Sequence, residues 1–156
     1  MHEAAKLGMP VFLPVTEGGR YDLILDIRGR LVRVQCKSAR RVGEIIDVKA
    51  RTCRRIAGGK QRVGTYSASE IDFVGVFCPE IECCYLVPIA DVPPSGSLYL
   101  RLAPSKNGQE LGIKWAKQYE LGAIAQLGER SAGSRKVVGS SPTSSTVKSR
   151  PPGRLF

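Results

Sequence analysis

Three residues of this chain, Asp22, Gln35 and Lys37, combine oxygen ligands with an amine at a spacing that suits paired strands. Residues 21–26 (YDLILD) and 30–37 (RLVRVQCK) alternate apolar and polar positions around a glycine-containing turn, a pattern typical of a β-hairpin. Side chains two apart on a strand share a face, so Gln35 and Lys37 point the same way and Asp22 arrives from the neighbouring strand. Such a set predicts metal-assisted hydrolysis of phosphodiester bonds.

Positive charge is concentrated around this hairpin. Twelve of the 24 Lys and Arg residues fall between residues 28 and 62, where only Glu44 and Asp47 oppose them. A one-signed stretch of this length, interspersed with apolar residues, favours a polyphosphate partner over a merely solvated basic surface. We therefore expect double-stranded DNA as the partner. The candidate nucleic-acid-binding residues are Arg33, Arg40, Arg41, Arg51, Arg54, Arg55, Lys60 and Arg62.

The histidine and cysteine content excludes several other chemistries. His2 is the single histidine, so a Ser-His-Asp or Cys-His nucleophile is ruled out. None of the five cysteines forms a C-x-x-C pair, and no structural zinc site is readable. Cys36 and Cys78 lie in apolar strand patterns, which predicts buried thiols in a reducing compartment.

The longest apolar run, residues 73–78, is far below the ~20 residues that a membrane-spanning helix needs. The chain also opens without the charged and apolar segments of a signal peptide. We therefore expect an intracellular, cytoplasmic protein that acts on DNA and has no membrane partner.

The pattern along residues 1–121 predicts one α/β (α+β) domain, because the chain is too short for two comfortable cores. A short helix closed by Gly8 opens it, and residues 51–66, dense in Arg and Gly, predict a loop or irregular ribbon facing a partner. Two near-continuous apolar runs predict buried central strands. The expected elements are a helix at 2–7, strands at 11–15, 44–50 and 98–102, central strands at 71–78 and 83–89, and a partly helical segment at 107–121 whose Trp115 and Tyr119 pack on the core.

The composition changes from residue 122 onward. Gly, Ser and Pro make up 15 of the last 35 residues, and the only aromatic is Phe156. Residues 122–156 therefore predict a disordered basic tail. With suitable codons, GAIAQLGER and GSSP match the start and the T-arm of a tRNA gene, so we expect that the reading frame runs through an adjacent tRNA gene.

The acid followed by Gln-x-Lys, within a basic α/β domain, resembles the PD-(D/E)XK nuclease superfamily. The blocks RYDLILD, RLVRVQCK, YSASEID, YLVPI and IKWAKQYEL more closely resemble its small bacterial group I intron-associated, or homing, endonuclease branch. The resemblance implies a restriction-endonuclease-like fold, with a central mixed β-sheet flanked by helices. It also implies a magnesium-dependent DNA endonuclease that hydrolyses phosphodiester bonds.

The resemblance implies a role for each matching residue. Asp22 corresponds to the invariant acid, Gln35 to the second acidic position and Lys37 to the lysine, and all three are the candidate catalytic residues. Asp22, the amide oxygen of Gln35 and the backbone carbonyl of Cys36 would bind Mg²⁺. Relatives open with a longer helix whose Glu also serves the metal. Here HEAAKLG matches only the end of that helix. Glu3 is a candidate substitute, but its spacing places the true counterpart upstream of Met1, so we expect either an upstream start or a truncated remnant.

Three functions remain open from the sequence. The first is a homing-type DNA endonuclease, the second a junction-resolving nuclease that reads DNA shape, and the third a non-catalytic DNA-binding remnant of such an enzyme. Cutting both strands with one site per chain requires at least a dimer, so we expect a homo-oligomer.

Overall fold

The computed structural model describes residues 1–55, 59, 61–104, 108 and 110–124, and at 54, 55, 61 and 62 it describes the backbone. Seven strands form one sheet, and two further strands form a separate hairpin. The elements are α1 (His2–Lys6), β1 (Val11–Phe12), β2 (Leu23–Ile27), β3 (Arg30–Val42), β4 (Ile45–Lys49), β5 (Thr52–Arg55), β6 (Gln61–Gly64), β7 (Phe73–Cys78), β8 (Cys83–Pro88) and β9 (Ser97–Arg101), with 3₁₀ turns at Pro79–Ile81, Ile89–Asp91 and Ala116–Tyr119.

The β2–β3 hairpin predicted from the sequence is confirmed. Arg28 and Gly29 both have positive φ, 59° and 82°, which is the backbone of the two-residue turn that matches the twist of antiparallel strands. The amide of Gly29 donates to Asp26 Oδ1 at 2.6 Å and closes the turn. Alternation also holds, because Leu25 and its cross-strand partner Val32 are both buried.

Strand β3 is the centre of the sheet and changes partner along its length. Residues 30–34 pair with antiparallel β2, residues 34–38 with parallel β7, and residues 39–42 with antiparallel β4. Strand β9 extends β4, β8 extends β7, and β1 extends β2. The predicted mixed sheet is therefore confirmed, although β3 is five residues longer than the alternating pattern of 30–37 indicates.

The sheet buries two apolar clusters. The larger includes Ile46, Val74 and Leu98, none of which is exposed, and it lies on the β4, β7 and β9 side. The smaller joins Val34 and Leu86 of the sheet to Ala4 of α1. Because burial of this kind is the main favourable term in folding, these clusters hold β2, β3 and β7 in fixed relative positions.

Several sequence expectations need correction. The segment 51–66 contains the antiparallel hairpin β5–β6 where a loop or irregular ribbon was expected. Among the described strands β8 pairs only with β7, so it is not central; its apolar run reflects burial of Tyr85, Leu86 and Val87. Helices are also few in the described residues.

The prediction that Cys36 is buried was wrong, because its strand position opens into a cavity of about 470 Å³ beside α1.

Other expectations are confirmed or lie outside the description. Cys78 is buried, and Tyr119 packs on the larger cluster while its hydroxyl donates to Asp91 Oδ2 at 3.1 Å. Trp115 is half-buried, and its backbone forms an isolated parallel β-bridge with Arg101. The predicted tail lies, beyond residue 124, outside the described residues. Across the described ranges, no helix has the length and apolarity that crossing a membrane requires.

Candidate active site

Asp22 and Gln35 meet at the open end of the β2–β3 hairpin. The backbone N–H of Asp22 donates to the Val34 carbonyl at 2.9 Å, which fixes the residue just before β2. Its Oδ2 accepts hydrogen bonds from the backbone N–H of Cys36, at 2.7 Å, and from the side-chain amide of Gln35. The structure therefore brings Asp22 into contact with Gln35 and Cys36, which lie 13 and 14 positions further along the chain, as the sequence predicts.

The backbone of Cys36 is accessible because β3 changes partner at this point. Pairing with β2 ends at Val34 and pairing with β4 starts at Ala39, so among the described strands residues 35–38 pair only with β7. The N–H and C=O of one residue on an extended strand point to the same side. Since the Cys36 N–H is directed at the Asp22 carboxylate, the Cys36 carbonyl also faces the side that β2 has left.

The amide nitrogen of Gln35 lies between two oxygens, because it contacts Asp22 Oδ2 and lies 3.5 Å from the Cys36 carbonyl oxygen. The Asp22 carboxylate and the Cys36 carbonyl thus both lie close to the end of the Gln35 side chain, whose amide also carries an oxygen. If the Gln35 amide turns so that its oxygen replaces the nitrogen, the three groups offer the oxygen ligands that a hard cation such as Mg²⁺ prefers. The described residues contain no group of three His, Cys, Asp or Glu side chains that could hold a metal, so any metal site here must use the amide and the backbone.

Lys37 lies one position beyond Cys36, half-buried, with its Cα paired to Val76 of β7. Its ammonium lies 5.4 Å from the centroid of the Tyr66 ring. Among the described residues no carboxylate comes within ion-pair distance of this ammonium, Asp22 included. Lys37 therefore lies on the same strand face as Gln35 without contacting the Asp22 carboxylate.

Sequence reasoning missed the group that surrounds Tyr66. Arg20 lies 5.0 Å from the Tyr66 ring and forms an ion pair with Glu70 at 2.7 Å. Glu70 also accepts from the backbone N–H and hydroxyl of Ser67, at 3.0 and 3.1 Å. The hydrogen bond from Arg20, followed by that from the Ser67 backbone, lowers the pKa of Glu70 to about 2. The signal in the sequence is the YSASEID block, which contains Tyr66, Ser67 and Glu70.

Glu3, the substitute ligand considered from the sequence, lies on α1. Its carboxylate forms an ion pair with Lys6 at 2.9 Å, and this hydrogen bond lowers the pKa of Glu3. Glu3, Cys36 and Lys37 all line the 470 Å³ cavity. A role of Glu3 in metal binding stays a prediction.

The candidate DNA-binding arginines on the sheet have different partners in the structure. The Arg33 guanidinium binds Asp72 through both carboxylate oxygens at 3.0 Å and the Ser69 and Ala68 carbonyls at 2.5 and 3.1 Å. The Arg33 hydrogen bond lowers the pKa of Asp72. These contacts tie the loop before β7 to β3.

The remaining candidates are distributed over the sheet edge and the hairpin. Arg41 donates to the Gly43 carbonyl at 2.8 Å, and Arg51 donates to the Ser95 carbonyl at 2.7 Å, whereas Arg40 is exposed. Three lie on the β5–β6 hairpin, where the backbone register places Arg54 opposite Arg62 and Arg55 opposite Gln61. Lys60 lies outside the described residues. The DNA-binding role of all these residues stays a prediction.

A mixed sheet with an acid, an amide and a lysine on one hairpin has the features of an endonuclease domain. The chain belongs to the PD-(D/E)XK endonuclease family, whose model matches residues 1–122. It is also similar to the solved structure of a bacterial homing endonuclease, I-Ssp6803I, with 25% identity and a TM-score of 0.59 over 86% of this chain and 89% of that one. No curated protein sequence matches it.

Proposed function

We propose that this chain is a magnesium-dependent DNA endonuclease of the homing type. The observation that carries the proposal is the convergence of Asp22 Oδ2 and the Cys36 carbonyl on the Gln35 amide, with Lys37 next on the same strand face. Membership of an endonuclease family and the likeness to a homing endonuclease support the choice of substrate and reaction.

Asp22, Gln35 and Cys36 are the residues that would hold Mg²⁺. Asp22 would contribute a carboxylate oxygen, Cys36 its backbone carbonyl, and Gln35 its amide oxygen in place of the amide nitrogen that now faces Asp22. Since Gln35 is neutral, Asp22 carries the only negative charge of this set. When bound, Mg²⁺ acidifies a water molecule and neutralises charge on the phosphate under attack.

Lys37 would act on the attacking water and on the phosphate. An ammonium group is a compact charge with three donors, so it can orient the water and stabilise the oxygens that become more negative in the transition state. Since no carboxylate among the described residues pairs with Lys37, its N–H donors are available for this purpose.

The β5–β6 hairpin and Arg40 would bind the DNA backbone. Like charges placed directly opposite on an antiparallel pair destabilise that pair, and the register sets Arg54 opposite Arg62. A polyanion between or beside these residues would offset the repulsion. Double-strand cutting by one site per chain would require a homo-oligomer, at least a dimer.

The proposal is tested by separating DNA binding from DNA cleavage. Duplex libraries and four-way-junction DNA are incubated with Mg²⁺ for cleavage and with Ca²⁺ for binding. Lys37→Ala should reduce cleavage by ~10²–10⁴-fold with little change in binding, because the lysine acts in the chemical step. Asp22→Asn should abolish cleavage and also remove metal binding, because it replaces the site's charged ligand.

Lys49→Ala is the matched control, since Lys49 is also a strand lysine near a tyrosine ring but lies on β4. Unaltered cleavage in either site variant would refute the assigned residues. A wild type that binds duplex DNA without cutting it would instead favour the non-catalytic remnant, and preference for the four-way junction would favour the junction-resolving nuclease.

A further inference from the structure

We propose that Tyr66 is the positioning residue of Lys37, and that the Arg20–Glu70 ion pair holds Tyr66 in place for this role. The inference rests on the proposed function, because it explains how the lysine assigned to the chemical step is kept in position.

The end of the Lys37 side chain needs an anchor. Its Cα is fixed by pairing with Val76, but four rotatable bonds separate the Cα from the ammonium. Fixing such a long side chain is entropically costly, so the ammonium would sample many positions without a contact. The contact that the described residues provide is the Tyr66 ring, 5.4 Å from Nζ, which is within the range of a cation–π interaction.

An aromatic ring is chemically suited to this position. A carboxylate would also hold the ammonium, but it would accept its hydrogen bonds and neutralise its charge. The face of a tyrosine ring attracts a cation through its quadrupole and leaves the N–H donors available. Lys37 is thus restrained in position while its charge and donors remain free to act on water and phosphate.

Tyr66 itself is held from several sides. Its side chain packs against the larger apolar cluster. Five residues further along the chain, Ile71 is fully buried in the same cluster. Arg20 stacks 5.0 Å from the ring centroid and donates to the Thr65 carbonyl at 3.1 Å. Glu70 pairs with Arg20 at 2.7 Å, which offsets the charge that would otherwise repel the neighbouring Lys37.

The test compares Tyr66→Leu with Tyr66→Phe. Leucine removes the ring quadrupole, whereas phenylalanine keeps it and loses only the hydroxyl. Tyr66→Leu should lower kcat by ~10–100-fold at saturating DNA, because small misplacements of a reacting group have effects of this size. DNA affinity in Ca²⁺ should change less than about twofold, and Tyr66→Phe should stay within about twofold of wild type in both assays.

Tyr99→Leu is the matched control, because Tyr99 has the same kind of contact with Lys49, at 5.5 Å, away from the site. It should leave kcat unchanged. If Tyr66→Leu does not fold, Glu70→Gln loosens the holding ion pair while it keeps the ring, and it should also lower kcat without weakening DNA binding. Equal kcat for Tyr66→Leu and Tyr99→Leu, or equal losses for Tyr66→Leu and Tyr66→Phe, would overturn the proposal.

A spectroscopic measurement keeps this test separate from that of the proposed function. The side-chain protons of Lys37 next to Nζ should be shielded by the Tyr66 ring in NMR spectra of the wild type and of Tyr66→Phe, and not of Tyr66→Leu, with Lys37→Ala used to assign the signal. If the wild type does not cleave DNA, the proposed function fails, and the shielding still decides whether Tyr66 holds Lys37. Absence of shielding in the wild type would overturn the positioning role.

Discussion

The salt dependence of DNA binding should distinguish the hairpin arginines from Arg33. The perturbation is the double substitution of Arg54 and Arg62 by Gln, which removes two charges from opposite positions on β5 and β6. Removing like charges from directly opposite positions of the backbone register should not destabilise the hairpin. Arg33→Gln removes one charge that is already bound to Asp72.

The expected size follows from counterion release. For duplex DNA the slope of log K against log salt is about −0.9 per neutralised phosphate, so losing two contacts should flatten the slope by about 1.8. If the contacts contribute nothing near 1 M salt, the same relation gives a loss of about 30-fold at about 0.15 M and about 200-fold at about 0.05 M. Arg33→Gln should leave the slope unchanged.

Fluorescence anisotropy with labelled duplex DNA, in Ca²⁺ and across a series of KCl concentrations, measures these slopes. The control is Lys117→Gln, which removes one exposed charge on the 3₁₀ turn Ala116–Tyr119. Circular dichroism checks that every variant is folded. If the hairpin double variant and this control flatten the slope equally, the hairpin is not the DNA-binding surface. If Arg33→Gln is folded and also gives a flatter slope, Arg33 belongs to the DNA-binding surface.

Two further predictions concern stability. Gly96 has φ +68° and a Cβ there would lie 3.1 Å from a backbone oxygen, whereas Gly43, at φ +58°, has open space around that position. Gly96→Ala should therefore lower the free energy of unfolding in urea by about 2–5 kcal/mol and Gly43→Ala by only about 1–2 kcal/mol; equal effects would contradict the packing at Gly96. The folded-state pKa values of Glu70, about 2, and Asp72 are depressed, so their contribution to stability should be fully present above about pH 5 and should be lost as the pH falls toward about 2. The variant Glu70→Gln/Asp72→Asn should flatten stability over this range and Glu17→Gln should not; an unchanged acid profile would contradict these ion pairs.

The sequence predicts the β2–β3 hairpin, which carries the candidate site, because the residues there follow the period-2 alternation of a strand. Period-2 alternation in 21–26 and 30–37, together with Gly29 at the turn, determines strand, face and register without information from elsewhere. The grouping of Asp22 with Gln35 follows directly from that register. Continuous apolar runs likewise identify β7 and β8 as strands, but they report burial and do not distinguish a central strand from one with a single partner.

The parts that sequence reasoning missed depend on distant contacts. The contact between Arg33 and Asp72 spans 39 positions, and no local pattern in the sequence indicates it. The β5–β6 hairpin was missed because its strands contain few β-branched apolar residues and two glycines lie between them. Tyr66 is 29 positions from Lys37, and only the folded sheet brings them together.

The separation of β5–β6 from the main sheet has a consequence for the evolution of this protein. None of the described residues in the two apolar clusters comes from either strand of the hairpin. Substitutions in the hairpin therefore cost little of the packing that holds Asp22 and Lys37 in place. Under the proposed function, the strength and salt dependence of DNA binding can change through the hairpin while the protein keeps the same reaction, and a selection for altered DNA affinity should accumulate its changes there.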